Sequence, residues 1–167
     1  MKTIIVYYSL EGNCALIADS LKTALGAEAL EIKTQNDKKR SKKGLFFWGL
    51  FQMIFNRRPA LKTFEFDVNA WDLIILGTPV WGGEPAPAMR SFLDKVDISG
   101  KKIALFCCHA GGMGKTMNIL KGLLHGNTIT TQIDFKSPSK AESTELKRKI
   151  DEWVKVIHDI PYSAPVS

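Results

Sequence analysis

The chain has 167 residues, 45% of them hydrophobic and 24% charged, the profile of one globular domain large enough to bury a substantial core. No apolar run reaches the roughly 18 residues of a membrane span, and the opening run Ile4-Ile5-Val6-Tyr7-Tyr8 is too short for a secretory signal. The net charge of +6 is local. Between Asp37 and Lys62 eight bases face one acid, a balance of +7, while fifteen bases and sixteen acids elsewhere leave −1. Three cysteines, two of them adjacent as Cys107-Cys108, exclude a disulfide framework and fit a reducing cytoplasm.

In chain order, Lys2 to Tyr8 is a β-branched and aromatic run of the kind buried on both faces of a sheet. Cys14 to Leu25 carries Ala15, Ala18, Leu21 and Leu25 at near-helical spacing, and Gly26 stops it. Ala27 to Lys33 makes a second, weaker strand. The following segment, KKRSKKGLFFWGLFQMIFNRRP, is basic at both ends and almost wholly apolar from Leu45 to Phe55. It suits a helix packed on the sheet, with a flap, a partner-docking element or a contact with anionic membrane as the other readings. Trp71 to Gly77 is the clearest buried strand. Pro85 to Val96 is a helix with its prolines in the first turn. Lys102 to Cys108 is a third apolar strand, Met113 to Leu124 a helix, Thr128 to Phe135 a more polar edge strand, and Ser139 to Ile160 a long amphipathic helix. Strands alternating with helices predict a doubly wound α/β domain built on a five-stranded parallel sheet.

In such a sheet ligands lie beyond the carboxyl ends of the strands, and three of those loops are unusual. Ser9-Leu10-Glu11-Gly12-Asn13-Cys14 offers a hydroxyl, a crowding-free Gly12 and a following helix whose first N–H groups point into the loop. On its own it is equally a plain strand-to-helix turn. Gly77 to Pro87 brings a Thr78-Pro79 turn, Val80, an aromatic Trp81 and the flexible pair Gly82-Gly83. Trp81 either packs against something flat or folds back onto the core. Cys108-His109-Ala110-Gly111-Gly112-Met113-Gly114 lets backbone approach a ligand closely, and His109 is either a group for chemistry near neutral pH or simply structural. Its glycine spacing is not that of a dinucleotide fingerprint.

Taken together, the three loops resemble those of the flavodoxin family. The phosphate loop there reads roughly Ser/Thr-x-Thr-Gly-x-Thr after the first strand, matched by Ser9, Gly12 and Asn13 and departed from at Glu11 and Cys14. GTPVWGGEPAPAMRSFL resembles the third-strand segment, and Lys102–Cys108 with Gly111-Gly112 resembles the second loop flanking the flavin. The resemblance covers residues 1–167 as one domain, apart from an insertion at about 36–62. It implies strand order 2-1-3-4-5, non-covalent FMN and electron transfer. The implied cofactor residues are Ser9, Leu10, Glu11, Gly12, Asn13 and Cys14 at the phosphate, and Thr78, Pro79, Val80, Trp81, Gly82, Gly83, His109, Ala110, Gly111 and Gly112 around the ring. It also implies a Gly82-Gly83 peptide free to turn a carbonyl toward the flavin.

The departures carry their own expectations. A carboxylate aimed at a phosphate about 4 Å away would be repelled by roughly 4 kcal/mol per charge pair at an effective dielectric near 20, so Glu11 is expected to face solvent. Cys14 gives up the good donor of a threonine, which predicts weaker FMN binding that Cys14→Thr would restore. Two other readings stand beside the electron carrier: an NAD(P)H-dependent flavin or quinone reductase on the same fold, and an interaction module that has lost FMN. A redox partner would meet the flavin edge or the basic 38–62 segment, which favours an acidic protein. No nucleic-acid motif is present, and monomer and dimer both remain open.

Overall fold

The computed structural model describes residues 1–35 and 58–161. The apolar run 45–55 and the bases between Lys38 and Arg57 lie outside the described residues, and with them the expected second helix.

Five strands form one parallel sheet: β1 (Thr3–Tyr8), β2 (Glu28–Ile32), β3 (Leu73–Trp81), β5 (Lys102–His109) and β6 (Thr128–Lys136), in the order β2-β1-β3-β5-β6. This is the expected 2-1-3-4-5 arrangement. A two-residue strand, β4 (Glu84–Pro85), pairs antiparallel with the end of β3. Among the described residues four helices cover the sheet: α1 (Asn13–Leu25), α2 (Pro87–Lys95), α3 (Thr116–Leu123) and α4 (Ser143–His158).

The three central strands are apolar on both faces because each face meets its own helical layer. Ile4, Val6 and Tyr8 of β1, Ile74 and Leu76 of β3, and Ile103, Leu105 and Cys107 of β5 pack with Met89 and Phe92 of α2 and Met117 and Leu120 of α3. The alternate residues, Ile5 and Tyr7, Leu73 and Ile75, Ala104, Phe106 and Cys108, pack with Ile17, Ala18 and Leu21 of α1 and Ile150, Trp153 and Ile157 of α4. The two-residue period of a strand thus sorts one sequence run into two cores. Gly26 ends α1 in a left-handed conformation, its N–H returning to the Lys22 carbonyl, as its position in the sequence predicts.

Element boundaries moved where side-chain chemistry was read too locally. Thr78 and Pro79, expected in a turn, continue β3 and pair with Cys107 and Cys108. Val80 and Trp81 then pair with Pro85 and Glu84, so Pro85 belongs to a strand and α2 starts at Pro87. Left-handed Gly114 (φ 54°) cannot be helical, which delays α3 to Thr116. Ser137 (φ 43°) and a 3₁₀ turn at Pro138–Lys140 delay α4 to Ser143.

Candidate functional site

The carboxyl ends of β1, β3 and β5 bring together the three loops singled out in the sequence, where strand order reverses between β1 and β3. At the first, Gly12 adopts φ 87°, a region that costs other residues about 1–2 kcal/mol. It stands directly before a 13-residue helix, contributes no side-chain cap, and no carboxylate lies in the first helical turn. Glu11 is exposed. A Cβ at Gly12 would meet nothing within 4 Å, so the loop is open above it. Ser9 Oγ accepts the Ala15 N–H at 3.2 Å, which leaves its O–H free to donate outward. Asn13 Oδ1 accepts the Ser139 N–H at 3.1 Å and ties this loop to the one after β6. Leu10 packs partly against the core. The amides of Asn13 and Cys14 remain as donors at the positive end of the α1 dipole.

The Cys14 side chain does not join that array. It is 1% exposed and sits in the α1 layer with Cys108. Burial, reinforced by a hydrogen bond with Cys108, pushes its thiol well above the ordinary range. Burial first, and then the charge of Asp134, push Cys107 up to about 12. Both are protonated, inert thiols at neutral pH.

The second loop is a two-residue hairpin turn. Gly82 (φ 57°) and Gly83 (φ 83°) have the paired left-handed geometry that matches strand twist and strongly favours glycine. Several bonds hold the hairpin. Thr78, fully buried, accepts the Ala86 N–H at 3.0 Å and donates to the Pro79 carbonyl at 3.1 Å. Arg90 of α2 grips Glu84 at 2.6 Å. Trp81 lies edge-to-face with the buried Tyr8, ring centroids 5.8 Å apart, and is half-buried. Trp81 is therefore braced by the core yet still presents surface at the site. Thr78 shapes the hairpin, and Pro79 and Val80 support it from partly buried positions.

The third loop carries a pair that the sequence reading missed. His109 Nε2 lies 2.8 Å from Asp134 Oδ2, with the His109 side chain only 8% exposed. Its other ring nitrogen, Nδ1, is buried without a hydrogen-bond partner. The only available signal was a carboxylate within the otherwise apolar run Ile133-Asp134-Phe135, two places from the strand end. Ala110, Gly111 and Gly112 are exposed, and Cβ atoms at either glycine would meet open space. Among the described residues no group of three or more His, Cys, Asp or Glu is arranged to hold a metal ion. No helix among them is long and apolar enough to cross a membrane.

Fold and site together define an open α/β domain with an uncapped helix and two close backbone loops at the switch point. The chain belongs to the flavodoxin family: the family model described as Flavodoxin matches residues 2–157. Among curated proteins no match was found. Among solved structures, a flavoprotein from Lactobacillus acidophilus NCFM in complex with FMN is similar at 24% identity and TM-score 0.71, covering 91% of this chain and 97% of its own. A protein from Bacteroides eggerthii DSM 20697 superposes with TM-score 0.77 at 20% identity, over 94% of this chain and 98% of that one. Oxidised flavodoxin 2 from Bacillus cereus matches with TM-score 0.60 at 22% identity, over 95% and 99%.

Proposed function

We propose that this chain binds FMN and works as an electron carrier of the flavodoxin type. The observation that carries the reading is the phosphate end: left-handed Gly12 before an uncapped helix, open space above it, and no carboxylate in the first helical turn. That arrangement accepts a dianion on backbone amides. The ring end fits as well, because the half-buried Trp81 and the exposed backbone of Ala110, Gly111 and Gly112 lie at the ends of adjacent strands. The FMN held by the Lactobacillus acidophilus protein supports the same cofactor.

Bound FMN supplies one-electron and two-electron chemistry. The residues of this chain do the rest. Asn13 and Cys14 amides and the Ser9 hydroxyl hold the phosphate. Trp81 offers a flat apolar surface, and stacking of this kind contributes about 1 kcal/mol beyond area burial. Gly82, Gly83, Ala110, Gly111 and Gly112 bring backbone close to the ring. Asp134 Oδ2 lies 2.8 Å from His109 Nε2 and holds the imidazole in place beside the loop after β5. A redox partner would approach the exposed edge at Gly82, Gly111 and Gly112, and the basic 38–62 stretch favours an acidic one.

The His109–Asp134 pair also supports a second reading, an NAD(P)H-dependent flavin or quinone reductase, since a carboxylate-held imidazole can pass a proton to a reduced acceptor. Purified protein should be yellow and release FMN on denaturation. Colourless protein that ignores added FMN would leave an interaction module. Consumption of NADPH with a quinone, in the absence of any partner protein, would move the assignment to the reductase.

A further inference from the structure

Two glycines from different loops meet at the ring end. A Cβ built on Gly114 would overlap Gly83 Cα and would stand 2.6 Å from the Gly83 carbonyl oxygen and 2.9 Å from its carbon. All three obstacles are backbone atoms, so no side-chain rotation relieves them. The reverse is not true: a Cβ on Gly83 would lie 3.6 Å from Gly114 Cα, in ordinary contact. Gly83 is favoured by its own φ of 83°, but the steric demand at this contact sits at 114. The next residue uses the closeness, for the Lys115 N–H donates to the Gly83 carbonyl at 2.6 Å. The other backbone bonds in turns and loops span 2.8–3.4 Å.

We propose that Gly114 is a positioning residue of the ring site, whose bare Cα lets the loop after β5 clasp the hairpin turn through Lys115 N–H and the Gly83 carbonyl. This rests on the FMN reading above. The clasp joins the two loops that would flank the ring, so their separation is set by a backbone contact and not by the ligand. It also spends the Gly83 carbonyl and pins the Gly83–Glu84 peptide from both sides, because Arg90 holds Glu84. Of the two turn glycines, only Gly82, exposed at the tip, keeps a carbonyl able to swing. Carbonyl freedom at the tip is thus confined to the Gly82–Gly83 peptide.

The test uses the full chain, titrated with FMN and then poised for its two one-electron potentials. Gly114→Ala is expected to bind FMN at least tenfold more weakly. The separation of the two potentials is expected to change by about 59 mV or more, the one-electron equivalent of tenfold. Gly122→Ala on α3, where a Cβ meets nothing within 4 Å, should match the wild type. Should Gly114→Ala fail to fold, Lys115→Pro removes the donor while keeping Gly114, and should shift affinity and potentials in the same direction. In the wild-type protein without FMN, the Lys115 amide should exchange slowly with solvent. A folded variant with wild-type affinity and potentials, or a fast-exchanging Lys115 amide, overturns the clasp alone. A wild type that never binds FMN overturns the cofactor reading and the clasp together.

Discussion

The two ends of the candidate site are built by opposite means. At the phosphate end, side-chain oxygens accept backbone N–H groups and brace the scaffold: Ser9 Oγ from Ala15, Asn13 Oδ1 from Ser139. Backbone amides are left for the ligand. At the ring end the backbone braces itself, through the Gly83–Lys115 bond and the β3–β4 pairing, while Trp81 packs on Tyr8 and His109 pairs with Asp134. An anion needs many weakly directional donors, which a helix start supplies whatever its side chains are. A ring needs flat surface and fixed spacing, which only particular side chains on rigid loops supply. This explains how Glu11 is tolerated at one end, and why glycines crowd the other.

The largest test loads both ends at once. Cys14 lies beneath the phosphate loop and Cys107 beneath the ring loops, each with its thiol held above the ordinary value of 9.0 by burial. The folded chain then keeps protons that the unfolded chain releases, so this contribution is complete below about pH 9 and is lost as pH rises toward about 12. Each such group steepens the fall by about 1.4 kcal/mol per pH unit. Denaturant midpoints measured from pH 8 to 11 should drop, and Cys107→Ala should flatten the curve. A pH-independent midpoint would show that the thiols ionise freely in the folded chain.

Next comes the floor of the ring end. A Cβ on Gly77 would overlap the ring of Phe106, which is fully buried and wedged edge-on against Phe135 and Trp153. Gly77→Ala should therefore cost about 3 kcal/mol by overpacking, read as a lowered denaturant midpoint. The matching change at the phosphate end is milder. Asn13→Ala removes one bond to an exposed loop and should cost about 1 kcal/mol. It should also weaken FMN binding without altering the potentials. Equal costs at the two ends would erase the distinction between them.

Much of this was legible in the sequence for a physical reason. Ile4 to Tyr8, Leu73 to Leu76 and Ile103 to Cys107 are apolar at every step, which only a strand covered on both faces explains, and three such strands with intervening helices leave few arrangements. The loops were legible because glycine and proline restrict backbone geometry locally. What escaped was non-local. Asn13 meets Ser139 across 126 positions and His109 meets Asp134 across 25. The contact of Gly114 with Gly83 depends on the spacing of β3 and β5. Pro79 misled because a proline reads as a turn, yet the Ala86 N–H reaches its carbonyl at 3.2 Å, and no N–H is required of it there.

Cys14 gives the smallest effect and the sharpest contrast between reading and structure. As a loop residue it reads as a lost donor, and Cys14→Thr should then tighten FMN binding. The structure instead places the sulfur in the α1 layer against Cys108, 1% exposed, with only its amide toward the loop. A threonine in that orientation would bury its hydroxyl beside Cys108, and the amide would be unchanged. Cys14→Thr should accordingly leave the FMN dissociation constant within about threefold, since a gain there needs a rotamer that points outward. A tenfold or greater tightening would show that the side chain at position 14 does turn to the phosphate. The phosphate end would then depend on side chains as the ring end does.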